Sequence, residues 1–159
     1  MAKTTQDDPQ AFLDPLHSLG YLTRINFRAA SRALEQLTLP HGVSAGQWRL
    51  LRVLWARDNI TQRQLADETG LTEGTTTLAV RSLVNAGLAR RVRSTEDKRK
   101  SYVRLTAKAK RLQAKLIPMV IEVNNIAGQG IDPEELAITR RVLAQTYANL
   151  CKHLEDHHA

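Results

Sequence analysis

The sequence predicts a mainly α-helical protein with one small β-hairpin, and three observations lead to this prediction. Over most of the chain, apolar residues recur every three or four positions, which is typical of helices with one buried face. Several of these stretches begin at a residue that can cap a helix and end near a glycine. After Gly87 the period changes to an alternation rich in β-forming residues, so we expect two short strands between residues 88 and 105.

The composition indicates a single globular domain covering residues 1–159. The chain is 42% hydrophobic and 25% charged, and its apolar runs are far shorter than the roughly 20 residues that span a bilayer. The first ten residues lack the basic start and apolar stretch of a secretory signal. With one cysteine, Cys151, we expect a protein of the reducing cytoplasm that has no membrane partner.

The first two helices are predicted from spacing and caps. Apolar residues from Phe12 to Leu37 follow one helical face, and this long helix should end near Pro40. Ser44 forms a capping box with Gln47 and should start a second helix, whose buried stripe includes both tryptophans.

The next two helices are joined by a short turn and predict a helix-turn-helix. Thr61 and Gln64 form another capping box, and Gly70 stands where the third helix needs a residue with positive φ. Thr72 can cap a fourth helix that ends before Gly87. Two helices with this connection are typical of DNA-binding proteins.

The segments after the fourth helix predict a winged helix-turn-helix with long terminal helices. The two strands enclose a polar loop at residues 94–101, which would project as a wing. Thr106 can cap a fifth helix, and Asp132 can cap a sixth with a near-heptad apolar stripe that Arg140 interrupts. We therefore assign residues 44–106 to DNA binding.

Positive charge is concentrated in one segment of the chain. The formal net charge is +7, yet the segment from Arg90 to Arg111 contains ten basic and two acidic residues. This segment alone exceeds the net charge of the whole chain, and such a patch attracts a polyanion such as nucleic acid. A solvated basic loop without function is the alternative, but the neighbouring helix-turn-helix favours DNA.

The fourth helix and the wing supply the candidate DNA contacts. Hydroxyl groups can bond phosphates, and an arginine can reach either a phosphate or a guanine. For any single threonine, an ordinary solvent-facing hydroxyl is the simpler explanation. The outward face of the fourth helix carries Thr72, Glu73, Thr75, Thr77, Leu78, Arg81 and Ser82. Of these we select Thr72, Thr75, Thr77 and Arg81, together with Arg91, Lys98 and Lys100 of the hairpin.

Five short motifs also occur in a fixed order, within a match that covers about residues 12 to 155. They are Val43-Ser44-Ala45-Gly46-Gln47-Trp48, Thr61-Gln62-Arg63-Gln64-Leu65-Ala66, Gly87-Leu88 with Arg90-Arg91, Asp97-Lys98-Arg99-Lys100, and Leu105-Thr106. Together they resemble the multiple antibiotic resistance regulator (MarR) family. One position departs from the family pattern, because Ala109 stands where glycine is common.

The resemblance implies a dimeric, ligand-responsive transcription factor, usually a repressor. It also implies that the first, fifth and sixth helices form the dimer interface, so residues 10–40 and 107–156 are assigned to dimerisation and effector binding. In that family the Asp-x-Arg of the wing places its arginine in the minor groove. The resemblance therefore implies this role for Arg99 and an orienting role for Asp97.

A ligand site is expected where the resemblance implies one, between the dimer helices and the winged part. On the second helix the spacing of Trp48, Arg52 and Trp55 would place a cation between two indoles. Aromatic faces beside guanidinium groups suit an aromatic carboxylate or its coenzyme A thioester. Core tryptophans and solvated arginines are the alternative. The candidate ligand residues are Tyr21, Arg24, Arg28, Trp48, Arg52 and Trp55.

Other functional classes fit the sequence less well. It lacks a Ser/His/Asp set, a phosphate-binding loop and a dinucleotide glycine pattern, so we expect neither an enzyme nor a cofactor. His153 and His157 have the spacing of a shared metal site, but a polar C-terminus explains them more simply, and no metal is predicted.

An architectural nucleic-acid protein without an effector is the remaining alternative function. The long terminal helices take up about half of the chain without adding basic surface. This favours the ligand-released repressor, which binds a pseudo-palindromic operator in double-stranded DNA as a homodimer.

Overall fold

A computed structural model of the chain describes residues 13–94, 97 and 100–157. The helices are α1 (Leu19–Thr38), α2 (Ala45–Ala56), α3 (Gln62–Thr69), α4 (Glu73–Asn85), α5 (Ala107–Ala127) and α6 (Pro133–Asp156). The strands are β1 (Ile60–Thr61), β2 (Ala89–Arg93) and β3 (Ser101–Leu105). The prediction of a mainly α fold with a small β-wing is therefore confirmed.

Local capping sets the starts of the central helices, as predicted. The Ser44 and Thr61 hydroxyls each accept a hydrogen bond from a backbone N–H three residues later, and a glutamine side chain completes both capping boxes. Thr72 caps α4 in the same way, through the N–H of Thr75. Gly70 ends α3 with φ +65°, a conformation that residues with a Cβ rarely adopt.

The first helix begins later than the sequence predicted. A short 3₁₀ turn, Pro15–His17, precedes α1, and the Ser18 hydroxyl caps the helix through the N–H of Tyr21. Proline and a strong capping residue together interrupt the apolar spacing that had suggested one continuous helix from Phe12. Phe12 itself lies outside the described residues.

The wing belongs to a three-stranded antiparallel sheet rather than a two-stranded hairpin. Its order is β1-β3-β2, with Ala89 opposite Leu105 and Arg93 opposite Ser101. The sequence analysis missed β1, in which Ile60 pairs with Val103. Two residues are too few to show an alternating pattern.

The core is centred on α2. Leu50, Leu51 and Leu54 are fully buried and belong to one cluster with Leu65 of α3 and Leu83 of α4. Apolar residues of β3 and α5 complete this cluster. The helix-turn-helix and the base of the wing therefore share one hydrophobic core.

The Asp58 carboxylate joins three parts of this unit. Its Oδ1 accepts hydrogen bonds from the backbone N–H groups of Asn59 and Leu105, and its Oδ2 lies 3.1 Å from Lys110 Nζ. Partial burial opposes ionisation, but these partners together hold the pKa of Asp58 below its ordinary value of 3.8.

The chain divides into two compact units, one ending at Val123 and one beginning at Asn124. The assignment of residues 1–159 to a single domain stays a prediction. In the second unit, Asp132 caps α6 through the N–H groups of Glu134 and Glu135, as predicted. No residue of α6 is buried in the single chain.

Among the described residues, no helix is long and apolar enough to cross a bilayer.

Replacing Asp58 by alanine should lower the free energy of unfolding at pH 7 by about 2 kcal/mol, because it leaves the Leu105 N–H without its charged acceptor. The folded-state pKa is the lower one, so this contribution is present above about pH 4 and is lost as the pH falls through the folded value. Urea unfolding at pH 7 and pH 3 measures both effects. Glu68→Ala, which removes an exposed ion pair with Arg57, is the control with a small effect. Equal losses for Asp58→Ala at both pH values would contradict the assignment.

Two buried threonines should respond in opposite ways to valine. Thr76 Oγ1 is buried and has no hydrogen-bond partner among the described residues, so Thr76→Val should raise the free energy of unfolding by about 1 kcal/mol. Thr38 Oγ1 donates to the Val43 carbonyl at 2.8 Å, so Thr38→Val should lower it by about as much. Thermal unfolding of both variants tests this. If the free energy of unfolding changes in the same direction in both variants, the prediction is wrong.

Candidate nucleic-acid interface

The first turn of α4 is built from short hydroxyl side chains. Thr72 Oγ1 accepts a hydrogen bond from the Thr75 N–H at 3.2 Å and donates to Thr75 Oγ1 at 2.9 Å. Both residues are exposed, as the sequence predicted. Helix N-termini attract anions, but the exposed Glu73 carboxylate in the same turn repels them, so a phosphate would be held here chiefly by the threonine hydroxyls.

Gln62 connects three elements on this exposed surface. Its Nε2 donates to Thr77 Oγ1 of α4, and its Oε1 accepts from Arg91 Nη2 of β2 at 3.4 Å. Thr77 Oγ1 in turn donates to the Glu73 carbonyl at 2.8 Å. Two predicted DNA contacts, Thr77 and Arg91, are therefore brought together by a residue that the sequence analysis did not select.

Gln47 fixes the other end of α4. This largely buried side chain accepts a hydrogen bond from the Ser44 N–H in the capping box and donates from Nε2 to Ser82 Oγ at 3.0 Å. The same Nε2 lies 3.4 Å from the Ser82 carbonyl oxygen. One amide thus links the start of α2 to the last turns of α4. Arg81, next to Ser82, is exposed as predicted.

The wing loop is closed by backbone hydrogen bonds. The Ser94 N–H donates to the Lys100 carbonyl at 3.0 Å, and the Lys100 N–H donates to the Asp97 carbonyl at 2.9 Å. The Asp97 N–H donates to Ser94 Oγ, and Lys100 Nζ lies 4.0 Å from Asp97 Oδ2. The predicted contacts Lys98 and Arg99 lie outside the described residues.

Several of the ten basic residues counted in the sequence already contact other groups of the chain. Lys108 Nζ donates to the Ala86 carbonyl at the C-terminal end of α4, where a cation is favourable. Lys110 forms the ion pair with Asp58. Arg90, Arg93 and Arg104 are exposed. The charge available to a polyanion is therefore smaller than the sequence count, but it lies on the strands beside α4.

Comparison with known proteins gives consistent matches. Residues 43–101 match the model of the MarR family. The HTH-type transcriptional regulator TtmR of Methylorubrum extorquens (strain PA1) is 27% identical over 150 residues, which cover 94% of this chain and 72% of TtmR. The transcriptional regulator PA3341, a solved structure, is 32% identical with a TM-score of 0.74, covering 85% of this chain and 99% of that one. The chain belongs to the MarR family. A MarR transcriptional regulator from Methanosarcina mazei Go1 agrees, with 27% identity, a TM-score of 0.79, and coverage of 84% of this chain and 96% of that chain.

Membership of the MarR family establishes the general class of the protein. It is a transcriptional regulator with a winged helix-turn-helix fold, and its relatives are regulators rather than enzymes. The family binds DNA and small-molecule effectors.

The tryptophans of this MarR protein differ from the expected geometry. Their rings contact each other edge to face, with centroids 5.5 Å apart, so Arg52 does not lie between them. Trp48 is only 8% exposed within the core, and Trp55 Nε1 donates to the Ala109 carbonyl at 3.0 Å. The prediction of a cation between two indoles was wrong, because both rings turn toward the core while Arg52 is exposed.

The remaining candidate ligand residues are more accessible. The Arg24 guanidinium lies 5.3 Å from the centre of the Tyr21 ring, and Arg28 is exposed on the same helix. An open surface cavity of about 420 Å³ lies farther along α1 and is lined by other residues. They are Arg32, Glu35, Gln36 and Leu39.

The two helical histidines form a close pair near the end of α6. The His153 and His157 ring centroids are 4.1 Å apart, and His157 Nδ1 lies 2.8 Å from the His153 carbonyl oxygen. Within the described ranges, no group of three or more His, Cys, Asp or Glu side chains could hold a metal ion.

Proposed function

We propose that this MarR-family protein is a homodimeric repressor that binds a pseudo-palindromic operator in double-stranded DNA and is released by a small-molecule ligand. The observation that carries the proposal is the exposed surface formed by α4 and the wing. There, Thr72, Thr75 and Arg81 lie on one helix, and Gln62 links that helix to Arg91 of β2.

Each predicted DNA contact has a distinct role in this proposal. The hydroxyls of Thr72, Thr75 and Thr77 donate to phosphates and fix the position of α4 in the major groove. Thr72 and Thr77 turn their protons to the phosphates when DNA binds, away from Thr75 Oγ1 and the Glu73 carbonyl, which accept them in the free chain. Arg81 reads a base edge. Lys98 and Lys100 contact the backbone beside the wing, Arg91 supports that contact, and Arg99 enters the minor groove with Asp97 orienting it. Residues 44–106 thus form the DNA-binding part.

Exposed apolar side chains support dimerisation through the terminal helices. On α6 these residues share a near-heptad spacing, which suits packing against another helix. Leu143, Tyr147, Leu150 and Leu154 are all at least 40% exposed in the single chain. Leu13, Leu16, Leu19 and Phe27 are exposed in the first unit. We therefore assign residues 10–40 and 107–156 to dimerisation and effector binding within one functional protein of residues 1–159.

The accessible arginines support an anionic effector. Arg24 beside Tyr21, together with the exposed Arg28 of α1 and Arg52 of α2, supplies cations for a carboxylate, and an aromatic ring suits Tyr21. The related CouR of Rhodococcus jostii RHA1, at 20% identity, has been solved bound to p-coumaroyl-CoA. We therefore propose an aromatic carboxylate or its coenzyme A thioester. Trp48 and Trp55 would act by shaping the core under this site.

The proposed function also implies a cellular compartment and the absence of a catalytic role. A repressor works where the chromosome lies, so we place the protein in the cytoplasm. It needs no catalytic group, and we propose that it is not an enzyme.

DNA selected from a random pool by the purified protein should be a pseudo-palindrome. Two recognition helices related by a two-fold axis predict half-site centres about 10 bp apart. Sedimentation should show two chains for each operator and a dimer at micromolar concentration without DNA. A monomer, or a pool that converges on no sequence, would rule out the proposal.

Two arginine variants should separate base contacts from phosphate contacts on the selected operator. Arg81→Ala should reduce the preference for operator over scrambled DNA by about 1–3 kcal/mol. Arg99→Ala should weaken binding and reduce the magnitude of the slope of log K against log salt concentration by about one. Fluorescence anisotropy at several salt concentrations measures both, with Arg57→Ala, whose guanidinium pairs with Glu68, as the control. Equal losses of Arg81→Ala on both DNAs would reassign that residue to the backbone.

Titration of the operator complex with aromatic acids and their coenzyme A thioesters should release DNA and change tryptophan fluorescence, because a releasing ligand prefers the state that does not bind DNA. Arg24→Ala and Arg52→Ala should both need more ligand for the same release. Arg57→Ala, which is paired with Glu68, should respond as the parent does. Unchanged responses of the first two variants would show that the ligand binds elsewhere.

A further inference from the structure

Leu78 is a large apolar side chain on the surface proposed to face DNA. It is 68% exposed, although it lies in the middle of α4. With 3.6 residues per turn, it lies on the side of the helix opposite the buried Thr76, Val80 and Leu83. Leu78 is therefore the outermost point of the helix, and the core does not explain why the residue is apolar.

The small residues on either side of Leu78 let its side chain project beyond them. The residues one turn before and one turn after it are Gly74 and Ser82, which are both small. A Cβ built on Gly74 would have no atom within 4 Å, so the space beside Leu78 is open on that side. Thr75 and Arg81, two proposed DNA contacts, flank the same stripe three residues away in each direction.

The position of Leu78 separates it from the other exposed apolar residues. Within residues 44–106, as far as the structure describes them, the exposed large hydrophobic residues are Leu78 and Val84, and Val84 is only 37% exposed. The others lie before residue 40 or after residue 116, in the segments proposed to dimerise. The helical neighbours of Leu78 instead include the hydroxyls of Thr75 and Ser82 and the guanidinium of Arg81, which suit a polyanion better than an apolar protein surface.

The major groove of DNA offers one apolar group at the base edges, the C5 methyl of thymine. We propose that Leu78 contacts the C5 methyl of one thymine in each half-site and thereby selects a T·A pair at that position. This inference rests on the proposed operator binding. It adds a specificity-determining residue that contributes by removing apolar surface from water rather than by hydrogen bonding.

Replacing single thymines by uracil tests the proposal, because uracil lacks only the methyl group and keeps every hydrogen-bonding group. On the selected operator, uracil at one position of each half-site should weaken binding of the parent protein about three- to tenfold. Leu78→Ala should weaken binding to the thymine operator by a similar factor and should lose the response to uracil at that position. Leu78→Met, which keeps an apolar side chain of similar length, should retain the response.

Val84→Ala is the matched control, since it shortens the other exposed apolar residue of α4 and should leave the uracil response as in the parent. Circular dichroism confirms that each variant folds. Equal uracil sensitivity in the parent and Leu78→Ala, or an operator in which no thymine methyl matters, would overturn the proposal while leaving operator binding intact. Failure to select any sequence would instead count against the proposed function.

Discussion

The geometry of the DNA-binding part depends on the carboxylate of Asp58. The residue follows the end of α2, accepts the N–H of Leu105 at the end of β3, and pairs with Lys110 in the first turn of α5. Helix, sheet and following helix therefore meet at one ionised side chain. Together with the pairing of β1 and β3 and the shared hydrophobic core, this junction holds the base of the wing against the helix-turn-helix.

Two glutamine amides extend this arrangement to the surface. Gln47 holds the last turns of α4, and Gln62 bridges the middle of α4 and the side chain of Arg91. An amide can donate and accept at once, so each glutamine fixes two elements with one side chain. The surface proposed to bind DNA is consequently preorganised by hydrogen bonds from α2 and α3, and its long side chains lose less freedom on binding.

The sequence predicted those features that short segments determine alone. Caps such as Ser44 and Thr61 act within four residues, so the starts of α2 and α3 could be assigned, and helical spacing placed Arg81 on the outer face of α4. Features that depend on distant partners were missed. Ile60 pairs with Val103, more than forty residues away, and the role of Gln62 exists only once α4 and β2 lie beside it. Whether Trp48 and Trp55 faced a ligand or each other likewise depended on packing.

The uneven distribution of charge has a consequence for how the protein meets a polyanion. Outside the segment from Arg90 to Arg111 the chain is nearly neutral, and at physiological ionic strength exposed charges are screened beyond about 8 Å. Long-range attraction is therefore weak for most orientations of approach. Encounters are therefore most favourable when β2 and β3, which carry the exposed Arg90, Arg93 and Arg104, face the phosphates. On the proposed operator, the orientation of the molecule would thus be selected before any base is contacted.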